Sequence, residues 1–303
     1  MNESMYRYMK VGIILGMAYP NVLEEEKHIE LAVRKIAVDD YFNAIEVGWI
    51  KTPQVRKKVK KMLDTSHMTL AYAAGQRLFS TGLNINDIDE EGRKMAVELL
   101  KDGIDEAYEL GAVVFGFLSG KYEESTKEES FKALVKSTKE LCEYARLKGD
   151  IKVVLGIFDY DIDKKSLIGP VNLAKRYAEE IKKEYVNFGL MIDLSHLPLL
   201  RETAEQAILP VKEFLVHAHI GNAVVKDASL EGYGDAHPRF GFPNSENDIP
   251  ELVEFLRILK EVGFLNTQNP PIVSFEIKPF GDEEPDIVVS NAKRTLNEAW
   301  ARL

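Results

Sequence analysis

Three short motifs carry the side chains best suited to chemistry. "GLMIDLSH" offers Asp193 and, three residues later, His196. "HAHIGN" offers His217 and His219, and "IVSFEIKP" offers Glu276. Carboxylates combined with one or two imidazoles form a nitrogen and oxygen donor set that suits a divalent cation, Mn2+ first, with Mg2+, Co2+ and Zn2+ as alternatives. No thiolate accompanies them, so a structural zinc site is not expected. The same groups serve proton transfer, which makes Glu276, His217 and His196 the candidate acids and bases. Side chains alternate along a strand, so His217 and His219 are expected on one face, with Val216 and Ala218 on the other. Two imidazoles on one face of an apolar strand call for polar surroundings, because burying them unpaired costs free energy.

Each group taken singly has an ordinary explanation. Asp193 precedes "LSHLPLL" and is placed to cap a helix. Glu276 lies two residues from Lys278 and is placed for an ion pair. Their convergence at successive strand ends is what favours a site. Around them, Glu46 and Trp49 in "FNAIEVGWI" are candidate substrate contacts, with structural hydrogen bonding as the equal alternative for Glu46 and a sugar-stacking wall or a barrel cap as the two readings of Trp49. The stretch "GYGDAHPRFGFP" adds Asp235, His237 and Arg239 in alternation. His237 and Arg239 are further substrate-binding candidates, since the planar arginine fork clamps oxygens well. The competing reading is a loop held together by that arginine. His28 and His67 lie on or beside helices and are assigned to the surface or the core edge.

These residues need elements to bring them together. Short β-rich runs, among them "KVGIILGMA", "FNAIEVGWI", "AVVFGFLSG" and "KVVLGIFD", alternate with long amphipathic segments from end to end. Eight strand signals and eight helix signals predict an α/β fold with an all-parallel sheet, closed as a single (β/α)8 TIM barrel over residues 1–303. "VLEEEKHIELAVRKIAVDDY" reads as one helix, "EEGRKMAVELLKDGIDEAYELG" as another stopping at Gly111, and Asp248 with Pro250 opens "DIPELVEFLRILKEVGF". An open doubly wound sheet is the alternative, but "GIILGMAYPN" lacks the glycine spacing of a dinucleotide loop. The aperiodic stretch at about 221–248 has a length usually associated with function. In such a barrel the active site lies at the C-terminal strand ends.

Composition narrows the function classes. The 303 residues are 45% hydrophobic, enough for a large core, and carry a formal net charge of -10. That acidity disfavours nucleic acid and anionic membrane as partners and leaves a small-molecule substrate. The single cysteine, Cys142, excludes an intramolecular disulfide and is read as a small buried hydrophobe, which points to the cytoplasm. "MNESMYRYMK" lacks a signal-peptide core, and no run reaches the roughly 20 apolar residues of a membrane span.

Asp-x-x-His, the "HAHIGN" histidines and the glutamate of "IVSFEIKP", in this order on the sixth to eighth strands, resemble the xylose-isomerase-like TIM barrels, a superfamily of sugar isomerases, 3-epimerases and endonuclease IV. The resemblance implies a divalent metal held by Glu, Asp, His and Glu from strands five to eight. It also implies a reaction that removes a proton next to the metal-bound carbonyl of a keto-sugar. Carried over, it gives the ligand role to Asp193, His219 rather than His217, and Glu276. The fifth-strand glutamate position holds Gly156, with Asp159 or Asp161 as substitutes if the chain bends after it. The endonuclease branch needs histidines after strands three and four that "LAYAAGQ" and "VFGFLSG" lack, although Asp235 and His237 resemble its Asp-x-His. "FDYDIDKKSLIGP" and "YGDAHPRFGFP" also resemble the large subunits of C-glycoside deglycosylating enzymes. Those imply elimination from 3-keto C-glycosides and a small β-rich partner subunit. An oligomer is expected. The absent carboxylate at Gly156 keeps open a third reading, an inactive sugar-binding barrel.

Overall fold

Apolar runs buried on both faces form eight parallel strands in a computed structural model that describes residues 3–303. They are β1 (Lys10–Ile13), β2 (Ala44–Val47), β3 (Thr69–Ala73), β4 (Val114–Leu118), β5 (Lys152–Gly156), β6 (Phe188–Asp193), β7 (Leu215–Gly221) and β8 (Ile272–Glu276). The hydrogen-bonded order runs β1-β8-β7-β6-β5-β4-β3-β2. The remaining seam, between β1 and β2, is closed by a bridge between Ile14 and Glu46 and by the Asn43 N–H donating to the Val11 carbonyl at 2.9 Å. The sheet is therefore a (β/α)8 TIM barrel and not an open doubly wound sheet.

Among the described residues, the barrel helices are α1 (Ile29–Ala37), α2 (Pro53–Thr65), α3 (Glu90–Leu110), α4 (Lys127–Lys148), α5 (Val171–Lys182), α6 (Ala204–Ile208), α7 (Ile249–Glu261) and α8 (Pro285–Ala301). α3 stops where Gly111 takes a left-handed φ of 83°. α7 opens with the Asp248 N–H donating to the Glu251 carboxylate at 3.0 Å, with Pro250 in its first turn. The segment expected to form one helix from Val22 is broken. A short helix, Asn21–Glu24, ends at an extended Glu25 before α1 begins. The break lets Glu26 accept the N–H groups of Lys51 and Thr52, just ahead of α2. No helix among the described residues is long and apolar enough to cross a membrane.

Alternation sorts the strand residues. Ile13, Ile45, Tyr72, Phe115, Leu155, Ile192, Ala218 and Phe275 pack outward beneath the helices. Ala44, Ala71, Val114, Val154, Met191 and Ile272 fill the barrel interior. Two residues further on, the inward positions are Glu46, Ala73, Gly116, Gly156, Asp193 and Ser274, and on β8 Glu276 follows two beyond that.

β7 departs from simple alternation. Its pairing with β6 passes from Leu190–Leu215 directly to Met191–His217. Val216 is thus an extra residue, and it packs against the inner cluster and not with Ala218 as alternation predicts. Gly189 makes room, since a Cβ there would lie 2.3 Å from Val216 Cγ2. Gly189→Ala is expected to lower the unfolding free energy by about 1–3 kcal/mol, measured as a shifted urea midpoint at unchanged slope.

Candidate functional site

Eight of the ionisable side chains singled out in the sequence, Asp235 among them, converge at the C-terminal end of the barrel. All of them are buried. His217 and His219 donate from Nε2 to the same Glu46 oxygen, Oε1, at 2.7 and 3.0 Å. The other His219 nitrogen, Nδ1, donates to Glu276 Oε2 at 2.7 Å. The second Glu276 oxygen lies 3.5 Å from His237 Nε2, which is itself 2.6 Å from Asp235 Oδ1. His196 opens the short helix that follows β6, and its Nε2 sits 3.5 Å from Asp193 Oδ2 and 3.4 Å from Asp235 Oδ1. Asp193 also accepts the N–H and hydroxyl of Ser195, at 2.9 and 2.5 Å, so part of its capacity does serve the turn into that helix. Glu276 makes no ion pair with Lys278. The Lys278 ammonium lies over Phe280 instead.

Burial raises the cost of every charge here, and the neighbours decide which charges persist. Burial works against ionisation of Glu46, yet His219 and His217 hold its carboxyl well below the usual range. Burial likewise opposes a charged His219, but Glu46 and Glu276 hold the imidazole well above its ordinary value. Against the same burial, His237 and His219 draw Glu276 down to about 2, and Glu276 and Asp235 push His237 up to about 9. Asp193 goes the other way. Burial and the adjacent Glu276 carboxylate hold it above the usual range. Two facing carboxylates with too little positive charge between them are a setting that a divalent cation relieves.

The fifth-strand position has a specific occupant. Gly156 faces inward, and a Cβ there would lie 2.6 Å from the Phe158 ring and 2.8 Å from the Met191 methyl. The Phe158 ring, 4.4 Å from that of His196 between centroids, fills the space a side chain at 156 would take. Neither proposed carboxylate substitute reaches the cluster. Asp159 is buried, but its oxygens accept the N–H groups of Ile162, Asp163 and Lys164 at 2.9, 2.7 and 2.8 Å. Asp161 is exposed and pairs with Arg201 at 3.1 Å. The turn that Asp159 organises brings Lys164 Nζ to within 2.7 Å of Asp235 Oδ2. Asp163 then accepts the Asp235 N–H at 3.1 Å. Lys164 and Phe158 are the site residues that the motifs missed. Phe158 was recoverable, being two residues beyond Gly156 and so on the same face, whereas nothing local marks Lys164.

Three expected substrate contacts are engaged elsewhere. The Glu46 carboxylate is taken up by the two histidines. The Trp49 ring is covered by the Arg77 guanidinium at 4.6 Å and the Lys51 ammonium at 4.7 Å, and Arg77 is fixed by Glu106 at 2.6 Å. Arg239 donates to Glu283 at 2.7 Å and to the Phe240 and Gly241 carbonyls, which makes it the brace of its own loop. His237 stays within the cluster. Gly156→Glu is expected to destabilise the fold by about 1–3 kcal/mol, because Phe158 and Met191 must move. Gly156→Glu combined with Phe158→Ala should recover part of that loss, and thermal unfolding of both variants checks it.

The donor set fits a divalent cation. One ligand atom each from Asp193, His219 and Glu276 lie within 4.8 Å of one another. Glu46, His217 and His219 satisfy the same test, as do Asp193, His196 and His237. Both nitrogens of His196 and Nδ1 of His237 lack hydrogen-bond partners although buried, a condition costing about 1–3 kcal/mol per group unless something binds them. Because His219 commits Nε2 to Glu46, Nδ1 is the nitrogen that faces the Asp193–Glu276 side. Glu46→Gln is expected to weaken Mn2+ binding about 10- to 100-fold by releasing that orientation, measurable by calorimetric titration.

Residues 35–295 match the xylose isomerase-like TIM barrel family, and the chain belongs to it. Among solved structures, D-psicose 3-epimerase from Clostridium cellulolyticum H10, determined with D-tagatose, superposes with a TM-score of 0.70 at 16% identity, covering 97% of this chain and 99% of that one. The IOLI protein with a bound zinc atom gives 0.72 at 18% identity, with 97% and 99% covered. 3-Keto-D-glucoside 4-epimerase, YcjR, from E. coli gives 0.65 at 17% identity, again with 97% and 99% covered. At these identities the likeness establishes a common fold. No curated protein sequence matches the chain.

Proposed function

We propose that this chain is a divalent-metal-dependent enzyme of the sugar isomerase and epimerase type, which removes a proton from a carbon next to the carbonyl of a keto-sugar. The observation that carries this reading is the buried set of Asp193, His219 and Glu276 at successive strand ends of a TIM barrel. These three residues would hold the cation, with Mn2+ as the first choice for two carboxylates and an imidazole. A cation bound there supplies Lewis-acid polarisation of a carbonyl oxygen.

The protein's own groups account for the proton. Glu276 turns Oε1 toward His237, so Oε1 is the oxygen available to take a substrate proton. His237, 3.5 Å away and held protonated by its carboxylate neighbours, is the group to supply a proton. His196 stands beside Asp193 and Asp235 as a polar contact for a substrate hydroxyl. His217 faces Glu46 and acts by positioning. Burial of the whole cluster excludes bulk water, which strengthens each of these interactions. The names of two similar structures, a D-psicose 3-epimerase and a 3-keto-D-glucoside 4-epimerase, support a keto-sugar substrate.

Glu276→Gln is expected to reduce proton exchange into a ketose substrate about 100- to 10,000-fold. Asp193→Asn and His219→Gln should each lower bound Mn2+ below one equivalent, read by elemental analysis. Full exchange activity after exhaustive chelation would refute the metal-dependent reading.

A further inference from the structure

We infer that residues 158–168, the loop after β5, form a lid latched by Lys164, and that the buried cluster is reached only when this lid lifts off His196. The inference rests on the cation fit of the donor set and not on the keto-sugar reading.

The starting point is closure. Asp193, His219 and Glu276 are 2, 4 and 9% exposed, and His196 and His237 are 1 and 2% exposed. A sugar cannot touch groups this deeply covered, so part of the mouth has to move. The loop after β5 holds its own shape. Its ends meet, with the Phe158 N–H donating to the Ile168 carbonyl at 3.1 Å and the Ser166 N–H to the Asp159 carbonyl at 2.8 Å. Between those ends, the Asp159 carboxylate gathers the amides of Ile162, Asp163 and Lys164. The base is fixed on the β4 side, where the Leu167 and Ile168 N–H groups donate to the Gly120 carbonyl and the Ser119 hydroxyl at 3.0 and 2.8 Å. From there the tip crosses the β6 unit to reach the loop after β7.

Every bond at that far end runs through a side chain. Lys164 pairs with Asp235 at 2.7 Å, and Asp163 accepts the Asp235 N–H at 3.1 Å. Asp161 pairs with Arg201 at 3.1 Å, and the Phe158 ring lies on that of His196. Among the described residues, no backbone–backbone hydrogen bond joins residues 159–165 to the units of β6, β7 or β8. The loop after β7 is held differently. The Lys278 N–H donates to the His237 carbonyl at 2.7 Å, and the buried Asn247 amide donates to the Leu194 and Gly221 carbonyls at 3.1 Å each. Of the two loops, the one after β5 is free to lift. Closure also seals both unpartnered His196 nitrogens under the Phe158 ring, which is unfavourable until something binds them. Lifting the lid wets those nitrogens. A ligand that engages the cluster removes the penalty, so binding favours closure.

The test locks the lid. A Cβ at Gly234 would lie 3.3 Å from the Asp163 Cβ, close to the separation across a disulfide, and the native thiol of Cys142 is buried. Asp163→Cys combined with Gly234→Cys therefore ties the tip to the loop after β7. The φ of 87° at Gly234 strains any side chain, so the reduced form of the same variant is the control. Mn2+ association, followed by stopped-flow fluorescence of a Mn2+ indicator, is expected to be about 10-fold or more slower in the oxidised form. Equal rates in the two forms overturn the lid. A second measurement needs neither metal nor crosslink. Lys164→Met is expected to speed hydrogen exchange at the Asp235 amide about 5- to 10-fold, with the strand amides unchanged. An unchanged Asp235 rate overturns the latch and the lid with it. Failure of both forms of the double variant and of the wild type to bind Mn2+ removes the cation reading, and the exchange rate then decides the lid.

Discussion

His219 is held between two buried carboxylates, Glu46 from β2 and Glu276 from β8, and the rest of the mouth is arranged around that bridge. Burying four carboxylates at one end of a barrel is tolerable only when each finds a compensating charge or donor. His219 compensates two of them at once, His237 and Lys164 compensate Asp235, and His217 adds a second bond to Glu46. The bridge also has a mechanical role. The seam between β1 and β2 is the most weakly laddered junction of the sheet, and the bonds from Glu46 to His217 and His219 tie β2 to β7 across it. The polar cluster that would do chemistry thus also helps to close the barrel.

Polarity is distributed unevenly around the mouth. One half holds the charges, and the other is built from Ala73, Gly116, Gly156 and an aromatic ring. Gly156 is the position that sets this division. Glycine at that point admits the Phe158 ring, and the ring in turn shields one side of His196. The absence of a carboxylate on the fifth strand is therefore a packing arrangement with its own partner, and not an open gap.

Much of this was legible in the sequence because strand alternation is a local rule. Apolar runs separated by amphipathic segments were enough to expect eight β/α units, and the inward phase of Asp193, His219 and Glu276 follows from their spacing. The same rule mispredicted Val216, because a bulge adds one residue that no periodicity announces. It left Glu46 open between substrate contact and structural hydrogen bonding, since the histidines that bond it lie 171 and 173 residues away. Lys164 and Asp235 meet through two loops whose return to the mouth depends on Asp159 gathering backbone amides, a tertiary event without a sequence period. Trp49 and Arg239 have the right residue types for binding sugars, but neighbouring Arg77 and Glu283 claim them.

The clasp between Lys164 and Asp235 bears on how such a barrel can diversify. Loops on (β/α)8 scaffolds are commonly exchanged to alter substrate range, because each is anchored in its own β/α unit. Here the loop after β5 and the loop after β7 share an ion pair and a hydrogen bond from the Asp235 N–H to the Asp163 carboxylate across the intervening unit. Grafting either loop alone would strand a half-buried ammonium or a buried carboxylate. The two clasped loops are therefore one structural unit, and replacing either calls for a matching change in the other. An altered substrate range on this scaffold then calls for paired replacement of the two loops.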